Sequence, residues 1–85
     1  MNTYNYLVKE QQKVYDVIDF KIFENLNNVL IQVFCGSGYL KLKEIISVLK
    51  NKLPNSHIIG STTDGEVFNE NIYCDNNVIS VSVFH

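Results

Sequence analysis

Apolar and polar positions divide the chain into a few clear patterns. In Val29-Leu30-Ile31-Gln32-Val33-Phe34-Cys35, six of seven residues are apolar. A run this short and continuous predicts a strand buried on both faces, as inside a parallel sheet. Gly36-Ser37-Gly38 ends it, with Ser37 placed as the N-cap of the next element. Leu42, Ile45, Ile46, Leu49 and Leu53 then recur at helical spacing, and Lys41, Lys43, Glu44, Ser47, Lys50 and Asn51 fill the opposite face. Pro54 stops this helix, because proline disfavours helical geometry at the residue before it. His57-Ile58-Ile59-Gly60 predicts a second short strand. Strand, helix and strand within about 30 residues make a right-handed βαβ unit. Val78 to Phe84 alternates in its second half, as a strand with one polar face does.

The first 28 residues are less clear. Tyr4-Asn5-Tyr6-Leu7-Val8 fits a short strand. In Glu10 to Phe20, Val14, Val17 and Ile18 fit a helix, while Ile18, Phe20 and Ile22 alternate as in a strand. Asn25-Leu26-Asn27-Asn28 and Asp75-Asn76-Asn77 read as turns. These elements predict an α/β fold: a small mixed or parallel sheet on one βαβ unit. Residues 1–85 form a single partial domain. One helix leaves a sheet face uncovered, so the chain is expected to be a fragment of a larger domain.

Composition narrows the function. The 85 residues carry a formal net charge of -2 and no Arg, so no nucleic-acid footprint is visible and the bidentate arginine fork is missing. There is no Ala, and nineteen Val and Ile stand against seven Leu, a balance that favours strands. No 18-residue apolar run suggests a membrane span, and no apolar signal-peptide core precedes residue 29. Cys35 and Cys74 stand alone, which suits a cytoplasmic protein with reduced thiols. His57 and His85 show no metal-ligand spacing, and no cofactor is expected.

The stretch with most chemistry is Gly60-Ser61-Thr62-Thr63-Asp64-Gly65-Glu66. It puts three hydroxyls, two carboxylates and two glycines at the C-terminal end of a parallel strand, the edge where open α/β sheets bind ligands. The hydroxyls can donate to a ligand carboxylate, and Asp64 or Glu66 can accept from an amine. The same residues also suit a turn that satisfies its own backbone. Cys35 faces two readings as well. A helix N-terminus can activate a thiol, but a free Cys is commonly a small buried apolar residue.

Together with its flanking elements, Gly60-Ser61-Thr62-Thr63-Asp64-Gly65-Glu66-Val67 resembles the N-terminal part of the FIST sensory domain. The family pattern is Leu-Pro, a short apolar strand, then Gly-[Cys/Ser/Ala]-[Ser/Thr]-Thr-x-Gly-Glu-[Ile/Val]. Here Leu53-Pro54 follows the amphipathic helix, and the resemblance covers residues 29–84. It implies an intracellular, bacterial-type signal-transduction sensor that binds a small polar ligand such as an amino acid, without catalysis. Gly60, Ser61, Thr62, Thr63, Asp64, Gly65 and Glu66 would be its ligand-binding residues. Its partners would be the remainder of the FIST region and a signalling output domain. A shorter resemblance favours an enzyme. Val33-Phe34-Cys35-Gly36-Ser37-Gly38 is similar to the phosphocysteine loop in the B component of sugar phosphotransferase systems, with Cys35 as phosphoryl acceptor. A third reading is a structural fragment that docks onto the rest of its own chain.

Overall fold

A computed structural model describes residues 1–62 and 76–84. Strand β1 (Asn2–Lys9) is followed by two 3-10 turns, at Val14–Asp16 and Phe20–Ile22. Strand β2 (Val29–Cys35), helix α1 (Tyr39–Lys52), β3 (His57–Thr62) and β4 (Asn76–Val83) complete the order. The strands form one mixed sheet in the order β1-β4-β2-β3. β3 runs parallel to β2, and β4 is antiparallel to both β2 and β1. No helix among the described residues is long and apolar enough to cross a membrane.

Register assigns every strand residue to a face, since successive side chains alternate. One face holds the rows Tyr4–Val81–Ile31–Ile58, Tyr6–Ile79–Val33–Gly60 and Val8–Asn77–Cys35–Thr62. Val8, Ile31, Cys35, Ile79 and Val81 on this face are fully buried. Helix α1 covers its β2–β3 half through Leu42, Ile45 and Leu49. The segment between β1 and β2 adds Val14, Ile18, Phe20 and Phe23 to the core. Phe23 meets Tyr4 of β1 edge-on at 5.3 Å. The opposite face carries the rows Leu7–Val78–Phe34–Ser61, Asn5–Ser80–Gln32–Ile59 and Thr3–Ser82–Leu30–His57. None of these residues is fully buried.

Two expectations need correction. β2 is not buried on both faces. Its residues alternate, and Phe34 on the open face is 41% exposed. Its apolar run reflects a sheet whose second face bears scattered apolar side chains. Nor do residues 10–20 form an α-helix or a strand. The Asp16 carboxylate accepts from Lys13 N–H at 3.0 Å, and the Asp19 carboxylate accepts from Lys21 N–H at 3.1 Å. Such local side-chain bonds compete with a continuous helix, so the chain makes two separate turns. Val14 and Phe20 of these turns still face the core, while Tyr15 and Ile22 are exposed.

Candidate functional site

The C-terminal ends of parallel strands β2 and β3 lie beside the N-terminus of α1, at the sheet edge anticipated from the sequence. Cys35 closes β2 and is completely buried. Its thiol donates to Asn77 Oδ1 at 2.7 Å, with Gly38 O a second acceptor at 3.4 Å. The same Asn77 oxygen accepts from Ser37 N–H at 3.3 Å, while Asn77 Nδ2 donates to Val8 O at 3.0 Å. Gly36 N–H donates to Asn76 O at 3.0 Å. One buried amide therefore ties the end of β1, the end of β2 and the β2–α1 turn to the start of β4. Asn77 is the buried polar residue among those described, and its amide is satisfied on both sides, as burial demands.

This network defines what Cys35 can do. Burial pushes its thiol above the ordinary value, and this outweighs the opposing pull of the Ser37 backbone, the Lys41 charge and the Gly38 backbone. A protonated, inaccessible thiol is a poor nucleophile. The side chain acts as a small core residue with one useful donor, and its environment gives no support to phosphoryl transfer.

The turn above it also departs from expectation. Ser37 does not cap α1. The N-cap is Gly38, at φ 97°, and no side chain bonds to the helix N-terminus there. That left-handed conformation favours glycine. By placing Gly38 at the cap, the chain turns Ser37 inward, and its buried Oγ has no partner among the described residues.

The predicted ligand stretch is divided. Gly60, Ser61 and Thr62 belong to β3 itself. Gly60 faces α1, where a Cβ would lie 2.8 Å from Ile46 Cδ1 and 3.0 Å from Leu42 Cδ1. Its missing side chain is what lets the helix approach. Thr62 shares a row with Cys35 and Asn77, whereas Ser61 projects from the open face beside Phe34. Thr63, Asp64, Gly65, Glu66 and Cys74 lie outside the described residues, as does His85. Among the described residues no cluster of His, Cys, Asp and Glu could hold a metal.

Asn77 is the residue that sequence reasoning missed. Asp75-Asn76-Asn77 has turn composition, but Asn77 is in phase with Ile79, Val81 and Val83, all on the buried face. Extending that alternation by one step would have found it.

A search of curated proteins gives no match, and neither does a search of solved structures. The family profile described as FIST N domain matches residues 29–85, more than half of the chain. Strands β2, β3 and β4 and helix α1 all fall inside the match, so the chain belongs to the FIST N domain family, whose members are generally sensory and signal-transduction domains.

Proposed function

We propose that this domain senses a small polar ligand, such as an amino acid, for intracellular signalling and carries out no catalysis. Family membership is the observation that carries this reading. The placement of Gly60–Thr62 at the C-terminal end of a parallel strand pair agrees with it, because that edge of an open α/β sheet offers strand ends and a helix N-terminus to a ligand. Ligand binding at residues 60–66 would alter how the domain packs against the remainder of its FIST region and a signalling output domain. The buried, protonated Cys35 gives no reason to prefer phosphotransfer.

A thermal-shift screen against the twenty amino acids tests the reading. A ligand at ten times its dissociation constant stabilises the native state by about 1.4 kcal/mol. That corresponds to a rise in Tm of about 6–11 °C for a domain this small. The expected result is a shift with one amino acid or a related group, reduced in Thr63→Ala and Glu66→Ala. A cooperative transition that no member of the panel moves would overturn the amino-acid assignment. A shift that survives both substitutions would overturn the site.

A further inference from the structure

Strand β3 ends the sheet, and among the described residues nothing pairs with its outer edge. Five of its six residues are exposed. It also lacks the charges, proline and bulges that usually protect an edge strand from pairing. On the open face its apolar side chain is Ile59, 58% exposed. On the other face the helix overhangs the edge. Ile46 packs against Gly60, so the residues stacked above and below Ile46 on the helix point the same way. Leu42 and Leu49 among them turn into the core, and the exposed ones that continue the line on the outer side are Tyr39, Lys43 and Lys50. Lys43 Nζ lies 5.6 Å from the centre of the Tyr39 ring. That stripe contains two cations and no carboxylate.

We propose that the outer edge of β3 accepts one extended peptide strand that alternates apolar and acidic residues. Its backbone continues the hydrogen-bonded ladder, the mode by which sheet edges capture peptides. Its apolar residues lie beside Ile59 on the open face, and its acidic residues lie beneath Lys43 and Lys50. Spacing permits this. Seven residues of helix separate the two lysines by about 10.5 Å along the axis. Same-face residues of a strand recur every ~6.7 Å, so two successive carboxylates come within reach of the two long side chains. A second copy of this chain fits less well. Two-fold pairing of β3 with β3 would bring the Lys43 and Lys50 stripe of one copy against the same stripe of the other, and like charges repel.

The test is fluorescence anisotropy at low salt with three labelled six-residue peptides, (Val-Glu)3, (Val-Gln)3 and (Val-Lys)3, added to the full chain. The expected order of affinity is acidic, then neutral, then basic, and the acidic peptide should weaken as salt rises. The double variant Lys43→Glu/Lys50→Glu changes two exposed helix positions. It should weaken (Val-Glu)3 at least tenfold and make (Val-Lys)3 the preferred ligand. Amide NMR shifts should centre on residues 57–62. Ile59→Ser, a second exposed change, should weaken all three peptides together. Absence of saturable binding at millimolar peptide would overturn the proposal. So would equal affinity for the three peptides, shifts centred away from β3, or concentration-dependent self-association that Ile59→Ser abolishes.

Discussion

Gly60→Ala would place a methyl group 2.8 Å from Ile46 Cδ1, 3.0 Å from Leu42 Cδ1 and 3.6 Å from Ile46 Cγ1. Backbone conformation does not oppose the change, because among the described glycines only Gly38 has a positive φ. Restricting the unfolded chain would then favour Ala by about 0.4–1 kcal/mol. Against this stands overpacking, which costs about 1–3 kcal/mol when a methyl enters a filled space. Both nearest atoms are tips of flexible side chains and Ile46 is only half-buried, so the lower part of that range applies. The net expectation is a loss of about 1 kcal/mol, or a fall in Tm of about 4–8 °C. A double-mutant cycle supplies the stricter test. Ile46→Val removes Cδ1 and by itself should cost about 0.5–1.5 kcal/mol. Combined with Gly60→Ala it should restore what the methyl displaced, so the double variant should be about as stable as Ile46→Val alone. Urea unfolding at 25 °C measures all four proteins, and the expected coupling is about 1 kcal/mol. Additivity within about 0.5 kcal/mol would refute the reasoning, since it would mean that Gly60 does not owe its place to the close approach of α1.

The remaining predictions concern the network below the β2–α1 turn. Asn77→Ala should cost at least about 2 kcal/mol by urea unfolding, because it strands Ser37 N–H and Val8 O in the interior; a loss under 0.5 kcal/mol would show that the amide does not join the strands. Cys35→Ser keeps a donor to Asn77 Oδ1 and should leave folding and any ligand response intact, whereas a phosphoryl acceptor at that position would lose its function. The raised thiol pKa of Cys35 stabilises the fold while both states stay protonated. That contribution is lost as pH rises above the ordinary thiol value of 9.0 toward the higher folded one. Stability should therefore fall from about pH 9, and Cys35→Ser should flatten the fall. A residual loss above pH 10 is expected from Tyr6, whose hydroxyl burial also pushes up. Ser37→Ala removes a buried hydroxyl without a partner among the described residues and should leave stability unchanged or raise it by up to about 1 kcal/mol; a clear loss in thermal denaturation would count against that reading.

Helix α1 was legible because Leu42, Ile45, Ile46 and Leu49 obey a single period and Pro54 follows its end. Strand β2 was legible in its bounds but not in its exposure. Leu30 and Phe34 are apolar residues on the open face, and residue type alone cannot separate them from core. Residues 10–28 were the hardest. Val14, Ile18, Phe20 and Phe23 do reach the core, yet their spacing follows two turns joined by Asp19 and matches neither a helix nor a strand. Tertiary contact holds this segment where local propensity would not. The role of Ser37 failed for a related reason: Gly36-Ser37-Gly38 offers a hydroxyl in the right place for a cap, but the chain reverses through Gly38 instead.

The register also constrains the way the Gly60 motif can meet a ligand. Gly60 and Thr62 face α1 and Ser61 faces the other way, so the motif's first residues cannot form one patch on a sheet face. Gly60 is committed to packing. Thr62 lies next to Cys35, whose donor is already held by Asn77. A ligand that used both Ser61 and Thr62 would have to sit at the strand end, where the two directions converge. Helix α1 begins beside that end, and Asn77 holds the turn leading into it through Ser37 N–H. Substituting Asn77 should therefore disturb ligand response as well as stability, whereas Gly60→Ala combined with Ile46→Val should leave ligand response unchanged and cost no more stability than Ile46→Val alone.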